Sequence, residues 1–182
     1  YNHFTGGGWN GFSMASDVYR QLDGADRRRS IVLVGPQVRL DNAGPVLLRD
    51  NVTPLNLDTA ITSISAAEED EGARVYKYTL DASRFNQNGG NDFHIFRLSG
   101  VMLDRAEALW RLGRTGEAIT ILNQLRARAY DPPRPFTGPI TEAALLRERL
   151  PELMGEGKRR TDQIRLGTFL GPKQFKPGMS QG

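Results

Sequence analysis

No cysteine occurs in the 182 residues, which excludes disulfide staples and thiolate metal sites. Histidine is nearly absent as well. His3 and His94 lie far apart, with no nearby histidine–carboxylate pattern, so a transition-metal site is not expected. No apolar run approaches the roughly 20 residues that a membrane-spanning helix requires, and no cleavable signal opens the chain at Tyr1. Signatures of common catalysts are missing too: there is no Gly-x-Ser-x-Gly elbow, phosphate loop or dinucleotide fingerprint. Gly6-Gly7-Gly8 lacks a following Lys-Ser/Thr pair and reads as a flexible turn. No cofactor is called for.

Charge of one sign is also lacking as a block. The formal charge is +3, with acids and arginines interspersed, as in Arg147-Glu148-Arg149 and Asp104-Arg105. The one compact cluster, Arg27-Arg28-Arg29, follows Asp23 and Asp26, so it reads as a solvated or ion-paired turn and not as a phosphate-binding patch. No nucleic-acid partner is expected.

Hydrophobic content of 38% and charged content of 25% describe a polar globular chain able to bury a sizeable core. We read residues 1–182 as a single region whose organisation changes near Asn91. Residues 1–90 are loop-rich, with short strand candidates at Ile31–Val34, Val46–Arg49, Ile61–Ser65 and Val75–Leu80, each bounded by Gly, Pro, Asn or Asp. A helix is predicted over Ser13–Leu22. Residues 91–170 read as helical. Leu98, Val101, Met102, Ala106, Leu109 and Trp110 recur at three- and four-residue steps and predict one stripe of a helix over Ile95–Leu112. Trp110 falls in that register and is assigned to the core. Gly113 is placed to end the helix and Thr115 to cap the next, whose apolar face carries Ala118, Ile119, Leu122, Leu125 and Ala129. Ala106 and Ala118 permit close approach of the two helices. Thr141 is placed to cap a third helix carrying Leu145, Leu146, Leu150, Leu153 and Met154. The fold class is mainly α, with tetratricopeptide-like helical hairpins and a loop-rich region carrying short β-strands.

What stands out is the run from Glu148 to Gly167, ERLPELMGEGKRRTDQIRLG. Glu148, Arg149, Glu152, Glu156, Arg159, Asp162 and Arg165 are set among Leu150, Leu153, Met154, Ile164 and Leu166 so densely that an amphipathic helix cannot turn them all to water. Some must be paired in the interior, and the seven are assigned to a structural charge network. The same carboxylates could be read as acid/base pairs for glycoside cleavage, but the matching arginines favour structure.

A second dense block, residues 91–129, precedes this run. Together the two blocks resemble the C-terminal region of the SusD/RagB family of outer-membrane nutrient-binding lipoproteins. The residues that carry the resemblance are Asp92, Arg97, Ala106-Glu107-Ala108, Gly113-Arg114, Asn123, Arg126, Arg128 and Ala129, followed by the Glu148–Gly167 set; Trp9-Asn10-Gly11-Phe12 through Asp26-Arg27 adds a weaker match. The chain departs from the family pattern at Pro151, at Lys158 where a histidine is common, at Thr161 where a larger apolar residue is usual, and in the absence of a closing segment after Gly178.

The resemblance implies a SusD-like α/α fold and a non-catalytic function. That function is capture of an oligosaccharide, or of a peptide, at the Gram-negative cell surface and its delivery to a SusC-like TonB-dependent outer-membrane transporter. It also implies a lipid anchor, the only link to the membrane, on an N-terminal part that this chain lacks. Sugars present flat C–H faces ringed by hydroxyls, so their sites pair aromatic plates with polar groups. Tyr1, Asn2, His3, Phe4, Trp9 and Asn10 concentrate those types in a Gly-rich stretch and are the candidate ligand residues; Trp9 is alternatively a core anchor. The alternative function is a tetratricopeptide-type scaffold that binds protein segments, and a glycan-cleaving enzyme stands third.

Overall fold

The computed structural model describes residues 12–39, 42–78 and 90–176. It is mainly helical. The described residues divide into two compact units, one drawn from residues 12–20, 31–39, 42–78, 90–92 and 173–176, the other from residues 21–30 and 93–172.

The first unit holds a one-turn helix, α1 (Ser16–Tyr19), and four two-residue strands, β1 (Val32–Leu33), β2 (Gly35–Pro36), β3 (Asn56–Leu57) and β4 (Arg74–Val75). β1 pairs antiparallel with β4, Val32 opposite Val75, and β2 pairs antiparallel with β3, Gly35 opposite Leu57. Val46, Leu55 and Leu57 form its small core, with Leu33 and Leu48 against them. The strands stay short because proline lacks the amide that a ladder needs: Pro36 ends β2, while Pro45 and Pro54 limit Val38 and Leu47 to isolated bridges. The strand expected over Val46–Arg49 is therefore reduced to one bridge, and no strand forms over Ile61–Ser65. There Thr62 donates to Glu71 Oε1 at 2.7 Å, a side-chain bond in place of a ladder. The expected helix Ser13–Leu22 is cut to α1, since Met14 is already committed to a bridge with Ala73, its amide donating to the Ala73 carbonyl at 2.8 Å. Gly72 makes that approach possible: at φ +78° a Cβ there would lie 2.7 Å from Ser13 Cβ and 2.8 Å from Ile61.

The second unit contains α2 (Leu98–Arg111), α3 (Thr115–Ala129), α4 (Glu142–Leu153) and α5 (Arg159–Arg165). α2 and α3 form the hairpin, with Leu103, Ala106 and Leu109 meeting Ala118, Ile121, Leu122 and Leu125; Leu145, Leu146, Leu153 and Leu166 close the core from α4 and beyond α5. Met102, Ile119 and Trp110 are partly buried against it. Ala106 and Ala118 are both fully buried, as two backbones brought close require.

Gly113, at φ +76°, turns the chain: its amide donates to the Trp110 carbonyl and that of Arg114 to the Leu109 carbonyl, each at 2.9 Å, which is a Schellman ending. That arrangement corrects the expected cap. Arg114 serves both helices, because its carbonyl also accepts from the Ala118 amide at 3.2 Å, so Thr115 becomes the first helical residue and caps nothing. Thr141 does cap α4, its hydroxyl accepting from the Ala144 amide at 3.1 Å.

The expected α2 stripe holds from Met102 to Trp110 but not in its first turn. Leu98 and Val101 are 76% and 54% exposed, whereas Ser99 and Leu103 are buried. At the N-cap, the Arg97 guanidinium donates inward to Ser99 Oγ, Glu152 and Glu156, which holds the first turn with Ser99 facing in and Leu98 facing out. α4 is buried at nine of its twelve residues and runs through Pro151 in its last turn, where one amide donor is lost. No described helix is long and apolar enough to cross a membrane.

Ala118→Glu is expected to cost about 3 kcal/mol or more, because an unpaired carboxylate and added volume enter the close contact between α2 and α3. A circular dichroism melt checks this; an unchanged melting temperature would mean that the hairpin does not pack through Ala118.

Candidate functional site

Glu152 is the centre of the charged cluster in the helical unit. It lies on the last turn of α4 and is 2% exposed. Three guanidiniums converge on its carboxylate: Arg97 Nη1 and Arg128 Nη2 at 2.7 Å and Arg28 Nη1 at 2.9 Å. Arg97 also donates to the Glu152 carbonyl and grips Glu156 through Nε at 2.8 and 2.9 Å. Arg28 is held in turn by Asp26 at 2.6 Å. A second chain of pairs runs along α4, α5 and α2. Arg149 meets Asp162 at 2.9 Å and Asp104 at 2.8 Å; Arg165 meets Asp162 at 3.0 Å and Glu107 at 2.8 Å; Arg111 meets Glu107 at 3.0 Å. Glu148 pairs with Arg126 at 2.7 Å.

Burial alone would raise the Glu152 carboxyl, but hydrogen bonds from Arg97, Ser99 and Arg28 and the charge of Arg128 bring it from 4.5 down to about 2. Burial likewise opposes ionisation of Glu107, and Arg165 and Arg111 overcome it to hold that carboxyl below its ordinary value. Arg159 differs. Burial lowers its pKa against the pull of Asp162, and it donates to the Leu146 carbonyl at 2.8 Å. Glu152 and Glu107 are thus acceptors held ionised, which suits a scaffold and not a proton donor.

Two grooves open in this unit. One, of about 230 Å³, is walled by Asp23, Asp26, Arg126, Tyr130, Phe136 and Arg147. Tyr130 is only 5% exposed, and the Arg126 guanidinium sits 4.6 Å from its ring centre. The other, of about 210 Å³, lies at the start of α2 and is lined by Phe96, Val101, Asp104, Lys158, Thr161 and Arg165, over the half-buried Arg97 and the buried Arg149 and Asp162. Phe96 is 83% exposed. The Lys158 ammonium lies 5.3 Å from its ring centre and donates to the Ile95 carbonyl at 2.9 Å.

Tyr1, Asn2, His3, Phe4, Trp9 and Asn10, the candidate ligand residues, lie outside the described residues. Of the seven charges assigned to the network, Glu148, Arg149, Glu152, Glu156, Asp162 and Arg165 sit in ion pairs, and Arg159 bonds a carbonyl. Their partners are mostly distant in sequence and were not assigned from it. Arg28 is the clearest omission. Within Arg27-Arg28-Arg29 it looks like part of a surface turn, and its pairing with Asp26 fits that reading, yet it also reaches Glu152 across 124 residues. No local pattern signals such a contact.

The model of the family described as the SusD family matches residues 11–179. The starch-binding protein SusD of Bacteroides thetaiotaomicron is 41% identical over 94 residues, which is 50% of this chain and 16% of that relative. The chain therefore spans a small part of the length of that relative.

Glu152→Ala is expected to destabilise the fold by about 3 kcal/mol, since Arg28 and Arg97 each lose a carboxylate partner inside a largely desolvated cluster and keep only Asp26 and Glu156. The sign of the pH dependence follows from a carboxyl depressed from 4.5 to about 2: its stabilisation is complete above the unfolded-state value and is lost as the pH falls through the folded one. Chemical denaturation midpoints should stay flat above about pH 5 and drop toward about pH 2 in the wild type, with a shallower drop in the variant. Equal midpoints for both proteins at neutral pH would show that Glu152 is not a buried anchor.

Proposed function

This chain belongs to the SusD family, and we propose from that membership that the protein captures a nutrient glycan without transforming it. The ligand class is an oligosaccharide, with a peptide as the variant reading. The protein works at the outer-membrane surface, held by a lipid anchor, and passes its cargo to a SusC-like TonB-dependent transporter. The observation that carries the reading is the family match across residues 11–179. The name of the relative, a starch-binding protein, makes α-glucan fragments the first ligands to try.

The state of the carboxylates supports binding over hydrolysis. A glycosidase needs one carboxyl raised enough to hand a proton to the leaving oxygen. Glu152 and Glu107 are displaced the other way, and Glu148, Glu156 and Asp162 are each spoken for by arginine. Trp9 and its neighbours Tyr1, Asn2, His3, Phe4 and Asn10 are proposed to contribute an aromatic plate and amide groups to the ligand site.

Calorimetry with maltoheptaose and a panel of other neutral oligosaccharides and peptides tests the reading on the intact protein. Binding should be found with no release of reducing ends; release of reducing ends, or no binding across the panel, would overturn it. Trp9→Ala should weaken the interaction by about 1–3 kcal/mol, the scale of a lost aromatic contact, with an unchanged melt. A lost fold would instead mark Trp9 as a core residue.

A further inference from the structure

We propose that the groove at the start of α2 is a sugar subsite in which one ring of an oligosaccharide stacks on Phe96 and is hydrogen-bonded by Asp104, Lys158 and Arg165. The inference rests on the glycan-binding reading above and adds a site to it. Three features of the groove argue for this occupant.

The first is the aromatic plate. Phe96 is a large apolar ring left 83% exposed, beside Val101, in a groove that also carries polar groups. It is held in place as well: Lys158 fastens the preceding residue through the Ile95 carbonyl and lies over the ring, while the next residue, Arg97, is locked to Glu152 and Glu156. A ring fixed before the ligand arrives loses little freedom on binding.

The second is the balance of hydrogen-bonding groups. Asp104 uses Oδ1 for Arg149 and keeps Oδ2 as an acceptor. Arg165 commits Nε and Nη2 to Glu107 and Asp162, leaving Nη1 as a donor. Lys158 spends one proton on Ile95 and keeps two. Donors and acceptors of both charges at one rim suit a neutral ligand whose hydroxyls both give and accept, and they suit a phosphate or an ammonium poorly. The deeper charges, Arg97, Arg149, Glu156 and Asp162, are paired with one another and add no net attraction for an ion.

The third is size. At about 210 Å³ the groove falls below the roughly 300–1,000 Å³ of pockets that enclose drug-sized ligands, so it takes one ring of a longer chain whose ends lie outside. The neighbouring groove offers no comparable plate, because Tyr130 is almost wholly buried whereas Phe96 keeps most of its ring exposed beside the contact with Lys158.

Phe96→Ala removes the plate, and Val101→Arg, at an exposed position of α2, fills the groove without entering the core. On the intact protein, titrated with maltoheptaose and with every neutral oligosaccharide of the panel that the wild type binds, each variant should weaken binding about fivefold to tenfold, as loss of a central aromatic contact does. The melt of Val101→Arg should match wild type, and if Phe96→Ala melts lower, Val101→Arg decides alone. Unchanged affinity in the variants beside measurable wild-type binding overturns this subsite and leaves the glycan-binding reading standing. Absence of any wild-type glycan binding overturns both. A variant that keeps its glycan affinity but shifts a dimer to monomer in sedimentation assigns the groove to a second copy of the chain and overturns the subsite.

Discussion

A carboxylate buried at the end of α4 sets the terms for the helical unit. Glu152 is taken from water at a cost that only close cationic partners can offset, and it draws Arg28, Arg97 and Arg128 to itself. Those arginines come from three separate stretches of chain. The turn at Arg28, the N-cap of α2 and the end of α3 are thereby tied to one point on α4. Apolar packing between α2 and α3 would tolerate some sliding and rotation; charged forks that must meet one carboxylate within hydrogen-bond distance do not. The setting of the first turn of α2, with Leu98 and Val101 turned out and Ser99 turned in, is one consequence.

The same constraint shapes the groove. Arg97 is locked inward, and the residue before it, Phe96, is left outside with its ring pinned by Lys158. Asp104 and Arg165 stand at the rim because their other bonds belong to the network. A rigid structural cluster therefore holds polar groups fixed at the rim of the proposed subsite. Substitutions deep in the network, at Arg149 or Asp162, would be felt in the groove through Asp104 and Arg165.

Lys158 shows how a departure from a family pattern acquires a physical meaning. Where a histidine is common in the SusD/RagB family, the longer side chain here reaches the Ile95 carbonyl and the Phe96 ring. An ammonium on a flexible stem can span that gap. The substitution thus joins the start of α5 to the segment that enters α2.

Local signals in the sequence determined the helices and their order: the periodic apolar positions after residue 97, Gly113 as a turn that only a left-handed backbone allows, Thr141 as a cap, and Ala106 and Ala118 as small residues for a close contact. Such features act over one or two turns, so composition and spacing reveal them. The density of charge from Glu148 to Asp162 also announced interior pairing. What it could not announce was the partner of each charge, because an ion pair such as Arg28–Glu152 is decided by which surfaces the packed helices bring together. The missed cap at Thr115 and the two outward residues at the start of the α2 stripe have that same origin: Arg114 is shared by two helices, and Arg97 is pulled in by a carboxylate on a third. The sequence alone settled what kinds of groups this protein carries and the elements that bear them, while only the tertiary structure decided which charges neutralise one another and which remain at the surface.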